Sequence, residues 1–260
     1  MPKNLFNSFK NLHTNHQVLV LNNIWDAASA AIVENEGALA LATSSASVAW
    51  SNGYADGSQL PVPLLLRSIK KILRVINLPL SVDIEDGYSQ SPQKVAQLVA
   101  DLVELGVAGI NIEDGSHSAS LLIEKIQAIK QHLGETSIFI NARTDVYLQA
   151  LVHEDLRLNE TIKRAKQYLA GGADGIFVPG MINTNDISQV AQSIQAPLNI
   201  MVSSEQDCFA EFVDAGASRI SLGPNTFITA YASLLKINQY DSKAKIETGL
   251  TYEALNGLFK

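Results

Sequence analysis

The chain reads as eight successive strand-then-helix units, and few folds accommodate that rhythm. Val18–Leu21, Ala38–Ala42, Leu80–Asp83, Gly109–Glu113, Ser137–Ala142, Asp174–Val178, Leu198–Val202 and Arg219–Leu222 read as strands, and the wholly apolar Val18–Leu21 has the character of one covered on both faces. Between and after them the spacing predicts helices over Ala27–Glu36, Pro63–Ile76, Pro92 to Gly106, Leu121–Leu133, Leu158–Ala170, Asp186–Ile194, Gln206–Ala215 and Thr226–Ile237. Asp26 is placed to cap the first of these, and Gly37 to end it. The phrases Glu104-Leu-Gly-Val-Ala-Gly-Ile, Ala170-Gly-Gly-Ala-Asp-Gly-Ile and Asp214-Ala-Gly-Ala-Ser-Arg-Ile recur where a helix ends and a strand begins. Eight such units in 260 residues match a closed (β/α)8 TIM barrel. An open doubly wound sheet is the competitor, but it would want a glycine-rich phosphate turn after the first strand. That turn is Asn22-Asn23-Ile24-Trp25, without glycine.

No linker interrupts the rhythm, so residues 1–260 are expected to form one domain. Residues 1–17 precede the barrel, with a short helix over Asn4–His13 that gathers Leu5, Phe6, Phe9 and Leu12 on one side. Thr43 to Leu60 reads as a long polar connection, and residues 226–260 as a C-terminal helical segment longer than one barrel helix requires. The net charge of −7 and the lack of Lys/Arg runs argue against a nucleic-acid surface. No apolar run is long enough to span a membrane, and the polar start does not resemble a signal peptide. One cysteine, Cys208, excludes an internal disulfide and suits a reducing cytoplasm. Its helical position makes it a buried small hydrophobe rather than a reactive thiol.

Barrel chemistry sits on the loops that follow the strands. Two apolar runs there end in the same way, Val82-Asp83-Ile84-Glu85-Asp86-Gly87 and Ile112-Glu113-Asp114-Gly115. Alternation along a strand would turn Asp83 and Glu85 to one side, and Glu113 would join them from the neighbouring strand. Three carboxylates at two strand ends suit a hard cation such as Mg²⁺, with Mn²⁺ as a substitute. The other reading of these acids is as caps for the following helices. Further strand-end residues are Trp25, Ser44, Ser45, the loop bearing Asp56, Arg143 and Asn199.

Taken together, Asn23-Ile-Trp-Asp-Ala-Ala-Ser-Ala, Ala40-Leu-Ala-Thr-Ser-Ser-Ala, Gly53-Tyr-Ala-Asp-Gly, Val82-Asp-Ile-Glu-Asp-Gly-Tyr, Asn111-Ile-Glu-Asp, Asn141-Ala-Arg-Thr-Asp and Phe177-Val-Pro-Gly carry a resemblance. The ordered set resembles the isocitrate lyase/phosphoenolpyruvate mutase superfamily, and most of all its small bacterial phosphonomutase-like members. The resemblance implies a barrel whose last helix is exchanged between subunits, a homodimer or homotetramer, Mg²⁺, and small carboxylate substrates of the 2-oxo acid type. It implies that a C–C or P–C bond is made or broken. Position by position, Asp83, Glu85 and Glu113 match the metal-site carboxylates, which act mostly through bound water. Thr43, Ser44, Ser45 and Ala46 match the loop that holds the substrate carboxylate. Arg143 matches the arginine that pairs with that anion, and Asp56 an acid near the reacting centre. Trp25 and Asn199 join the expected substrate-binding set from their strand-end positions. Arg143 has a second reading as an ion-pair partner of Asp145 or Glu113. Ser44 and Ser45 have one as helix caps, and His117 is either a proton carrier or a solvent-facing loop residue.

The chain also departs from that superfamily's better-known branches. The loop after the fourth strand, Ser116-His117-Ser118-Ala119-Ser120, has neither the Lys-Lys-Cys-Gly-His phrase of the lyases nor the Lys-x-Asn-Ser gating phrase of the mutases. What remains is the equipment that stabilises an enolate. The expectation is an Mg²⁺-dependent lyase or decarboxylase that cleaves a C–C bond in a small 2-oxo acid. The alternatives are P–C chemistry on a phosphonate, and a 2-oxo acid binding protein with vestigial catalysis.

Overall fold

The computed structural model describes residues 5–14, 17–202, 209–236 and 250–259. The first helix, α1 (Leu5–Leu12), precedes β1 (Leu19–Leu21), β2 (Asn23–Ile24), α2 (Ala27–Asn35), β3 (Leu41–Thr43), α3 (Ser45–Ser51) and α4 (Val62–Leu73). Next come β4 (Leu80–Asp83), α5 (Pro92–Leu105), β5 (Gly109–Glu113), α6 (Ala119–Leu133), β6 (Phe139–Arg143) and α7 (Glu154–Ala170). The chain ends with β7 (Gly175–Val178), α8 (Thr184–Ile194), β8 (Leu198–Met201), α9 (Phe209–Asp214), β9 (Arg219–Ser221), α10 (Asn225–Ala232), a 3₁₀ turn at Ser233–Lys236 and α11 (Tyr252–Asn256).

The strands form one parallel sheet in the order β1-β9-β8-β7-β6-β5-β4-β3-β2. Its two ends, β1 and β2, are halves of one strand broken at Asn22, so the sheet returns on itself as a (β/α)8 barrel. The sequence reading treated this strand as ending at Leu21, whereas it resumes for two residues. Asn23 explains the closure. Its side-chain oxygen accepts from the N–H groups of Leu222 and Gly223, both at 2.9 Å, and its amide donates to the Thr43 carbonyl at 2.9 Å. One side chain thereby ties the last strand to the third.

Alternate residues of each strand face inward. At the base, Leu19, Leu21, Ala40, Ala42, Ala108 and Phe139 pack around Phe9 of α1, which plugs the barrel from below. A Cβ on Gly109 would lie 2.6 Å from the Phe9 ring, so a glycine is required for that plug to seat. His13 stacks on Phe139 with ring centroids 4.1 Å apart. Burial, with Arg219 adding to it, lowers its pKa to about 3. The outward residues Ile24, Leu41, Val82, Ile110, Ile140, Ile176, Ile200 and Ile220 meet the helical ring in a second and larger core. The helix caps follow from sequence. Asp26 and Ser29 make a reciprocal capping box on α2, and α5 starts at Ser91-Pro92 and ends at Gly106 with φ +100°.

Two expectations change. The connection from Thr43 to Leu60 contains a helix, α3, because Ser44 caps a short apolar run. The first strand is not fully covered on both faces: Val20 is 38% exposed. Instead, α10 sets Phe227 against Trp25 and Trp50, with centroids 4.9 and 5.4 Å away. Cys208 lies outside the described residues, as do residues 237–249 of the C-terminal segment. Among the described residues, no helix is long and apolar enough to cross a membrane.

Candidate active site

The C-terminal ends of the strands surround a cavity of about 590 Å³, lined by Asp56, Asp83, Glu85, Glu113 and Arg143 together with Ser44, Ser45 and Ala46. Asp83 is the last residue of β4. Its N–H donates to Thr43 Oγ1 at 2.9 Å, and its carboxylate accepts from Glu85 N–H at 3.2 Å and Ser45 Oγ at 3.3 Å. Glu85 reaches the cavity by a different route from the alternation expected of a strand. The strand stops at Asp83, and Glu85 adopts φ +52° in a turn continued by Gly87 at φ +90° and Tyr88 at φ +56°. Glu85 Oε2 accepts from the backbone N–H and the hydroxyl of Ser58. Behind the turn, Lys125 Nζ donates to the Asp86 carbonyl at 2.6 Å. A Cβ on Gly87 would meet Val95 at 2.7 Å, so both sterics and φ demand glycine there.

Glu113 ends β5 opposite Arg143 of β6, and the register pairs the two residues directly. Glu113 Oε2 lies 2.7 Å from Arg143 Nη1. Arg143 also grips Asp145 with Nε at 2.6 Å and Nη2 at 3.0 Å. Both ion pairs raised as a second reading of Arg143 are therefore present, in a residue that still lines the cavity. Asp145 is held in turn by Asp114, which accepts from the Asp145 N–H (2.9 Å), Thr144 Oγ1 (2.8 Å), Arg164 Nη1 (2.9 Å) and Tyr168 Oη (2.6 Å). This fully satisfied buried network fixes the arginine from behind.

Beneath the carboxylates lies a polar floor. Asn111 Oδ1 accepts from Asn141 Nδ2 at 2.9 Å and from Arg219 Nη2 at 3.1 Å, and Asn141 also donates to Asn199 Oδ1 at 3.2 Å.

The electrostatics record crowding. Burial raises the pKa of Asp83. Burial, with Asp56 adding to it, raises that of Glu85 to about 7. Burial also pushes Glu113 well above the usual carboxylate range, against the opposing pull of Arg143. Burial works against the Arg143 charge, but Glu113 and Asp145 outweigh it and keep the guanidinium protonated. Acids so placed favour a bound cation or a shared proton. Glu85 Oε1 and Asp56 Oδ1 are buried without a hydrogen-bond partner. Among the described residues, no three acidic, histidine or cysteine side chains close in tightly enough to ligate one ion by themselves. An all-oxygen mouth with orphaned carboxylate oxygens therefore fits a cation that keeps part of its water shell, as Mg²⁺ does.

The phosphoenolpyruvate phosphomutase family matches residues 9–239. The chain belongs to this family. Within it, an uncharacterized protein of Mycobacterium tuberculosis is 36% identical over 220 residues, which cover 83% of this chain and 81% of that protein. The 2-methylisocitrate lyase of Halalkalibacterium halodurans is 30% identical over 75% of this chain and 67% of its own. The crystal structure of a protein classed as a phosphonomutase, from Burkholderia cenocepacia, superposes with a TM-score of 0.84 at 38% identity, covering 89% of this chain and 97% of that one. More distant relatives include oxaloacetate decarboxylases. The chain is an enzyme of this phosphoenolpyruvate mutase/isocitrate lyase superfamily.

Of the residues expected at the site, Asp56, Asp83, Glu85, Glu113, Arg143, Ser44, Ser45 and Ala46 share the cavity. Ser44 also accepts from the Ser47 N–H at 3.4 Å, so its capping role holds as well. Three others sit elsewhere. Trp25 packs on Phe227 and Tyr231, Thr43 is fully buried and holds Asp83, and Asn199 lies in the floor below the cavity. His117 stands 3.9 Å from Asp86 and does not line the cavity. Tyr252 and Glu253 of α11 were missed; both line the cavity, and the Tyr252 hydroxyl donates to Asp56 Oδ2 at 2.7 Å. No local pattern marks them, because α11 reaches Asp56 across 196 residues of chain.

Proposed function

We propose that this enzyme is an Mg²⁺-dependent lyase that cleaves a C–C bond in a small 2-oxo dicarboxylate, with decarboxylation of an oxaloacetate-type substrate as its simplest reaction. The observation that carries the reading is the meeting of Arg143 with Asp83, Glu85 and Glu113 on one cavity. Those three carboxylates would hold the ion, largely through water. When bound, the ion acts as a Lewis acid towards the 2-oxo oxygen, where negative charge develops.

Arg143 has two N–H bonds left after its contacts to Asp145 and Glu113, and these serve the substrate carboxylate. The first N–H groups of α3, at Ser45 and Ala46, have no intrahelical acceptor and lie at the same cavity. They hold the carboxylate from the other side. Asp114, through Asp145, keeps the guanidinium from turning away.

Decarboxylation needs no proton donor for the departing CO₂. That agrees with a cavity to which the loop from Ser116 to Ser120 contributes nothing. The test is a panel of oxaloacetate, 2-methylisocitrate, isocitrate, phosphonopyruvate and phosphoenolpyruvate, each with and without Mg²⁺. Pyruvate and CO₂ from oxaloacetate, dependent on Mg²⁺, are expected. Turnover confined to the phosphonates would replace C–C by P–C chemistry, and no turnover of any member would leave a binding protein.

A further inference from the structure

Arg219 of β9 is a charged side chain inside the barrel, 1% exposed, with Nε and Nη1 buried and unpartnered. Burial lowers its pKa to about 9 while Asp83 pulls the other way, so it carries its charge at neutral pH. A buried charge so sparsely paired costs stability, and packing alone does not account for it. Its hydrogen bond to a described residue runs from Nη2 to Asn111 Oδ1 at 3.1 Å. An arginine donates and cannot accept. It therefore settles which way the Asn111 amide lies, with oxygen towards Arg219 and nitrogen away. Asn141 Nδ2 donates to the same oxygen at 2.9 Å and fixes the choice further.

Asn111 Nδ2 bonds to no described residue and is not sealed off, so it opens on the cavity. Of the floor residues Asn111, Asn141, Asn199 and Arg219, Asn111 alone lines that cavity. It pairs in register with Asp83 of β4. It also lies two residues before Glu113 on β5, so it faces inward with Glu113, one step deeper.

We infer that Asn111 is a substrate-binding residue whose amide N–H donates to an oxygen of the bound 2-oxo acid at the foot of the cavity, and that Arg219 is the positioning residue that keeps this N–H turned upward. This rests on the 2-oxo acid reading above. Arg143 and the start of α3 hold the acid from the mouth; Asn111 holds it from below. Being neutral, the amide leaves Asp83 and Glu113 to the cation, where a lysine would pair with them.

The experiment is calorimetry with oxalate, a planar dianion shaped like the enolate, at saturating Mg²⁺. Asn111→Asp keeps an acceptor for Arg219 and Asn141 but puts an oxygen where the N–H donors were. Asn111→Ala removes the donors without adding charge. Loss of the donors is common to both, so both should weaken oxalate by roughly tenfold or more, as for a hydrogen bond to a charged group. Mg²⁺ alone should bind Asn111→Ala as it binds wild type. Arg219→Met frees the amide to turn over and should weaken oxalate too; Arg219→Lys, again a donor that cannot accept, should restore it. Wild-type oxalate affinity in folded Asn111→Ala, or a loss confined to Asn111→Asp, overturns the assignment and leaves the 2-oxo acid reading standing. So does a loss of Mg²⁺ affinity that matches the loss of oxalate, which would put the amide on the ion. If Asn111→Ala does not fold, equal oxalate affinities in Arg219→Met and Arg219→Lys overturn it instead. A wild type that does not bind oxalate with Mg²⁺ overturns both.

Discussion

Arg143 offers five N–H bonds, and the folded chain uses three of them on Asp145 and Glu113. The residue is thus structural and functional at once, and substitution should separate the two roles. Arg143→Ala is expected to weaken oxalate binding by roughly 100-fold or more, in line with truncating one member of a buried charge pair. It should leave Mg²⁺ able to raise the melting temperature, because the arginine addresses the anion and not the ion. Unchanged oxalate affinity by calorimetry would sink the role given to Arg143. The acids make a pH prediction. The pKa of Glu85 is raised from an ordinary 4.5 to about 7, chiefly by burial. Between those values the folded state holds more protons than the unfolded state, so metal-free stability should fall as pH rises from about 4.5 through 7, by up to about 3 kcal/mol from this group alone. Asp83 and Glu113 shift in the same direction and deepen the fall. Chemical denaturation across that range with a chelator present checks it; saturating Mg²⁺ should flatten the curve. At this scale the sequence reveals a residue's place better than its direction. Asp83, Glu113 and Arg143 were legible because strand ends gather at one mouth. Thr43 and Asn199 occupy the same ends but point into neighbours, which strand position alone does not disclose.

Among elements, the turn from Ile84 to Tyr88 carries the most risk. Glu85 and Tyr88 adopt left-handed backbone conformations that ordinary residues avoid. The turn is held from behind by Lys125 of α6, whose side chain is 2% exposed and bonded to the Asp86 carbonyl. Lys125→Met should cost roughly 1–3 kcal/mol by leaving that carbonyl unpaired. It should also weaken Mg²⁺ binding measured by calorimetry, because Glu85 is no longer held in place. Full Mg²⁺ affinity in a folded Lys125→Met protein would show that the turn is fixed by Ser58 alone. The rhythm of strands and helices was readable because several helices, α5, α6 and α7 among them, end at glycine and the strands are short apolar runs. The misses have physical causes. The run Ser45-Ala-Ser-Val-Ala-Trp-Ser is small and polar enough to pass for a loop, yet Ser44 caps it and Val48, Ala49 and Trp50 bury it. The continuation of the first strand at Asn23–Ile24 depends on Asn23 bonding to the ends of β3 and β9, contacts made by residues far away in sequence.

At the scale of the whole molecule, the barrel leaves apolar side chains uncovered. Val20 on the first strand, Ile32 and Leu39 around α2, and Leu234 after α10 are all exposed. We propose that these surfaces meet in a homodimer or homotetramer. Light scattering at micromolar concentration should give at least twice the 28.1 kDa chain mass. A stable monomer would end that proposal without touching the site, since every residue assigned to it belongs to one chain. The central claim is that this mouth binds a divalent cation and a 2-oxo dicarboxylate together. Calorimetry with oxalate tests it most directly. In the presence of Mg²⁺, wild type is expected to bind one oxalate per chain at least tenfold more tightly than in chelator, and Glu113→Gln is expected to lose that difference while remaining folded. Equal oxalate affinity with and without Mg²⁺ in the wild type, or a difference that survives in Glu113→Gln, would contradict the account.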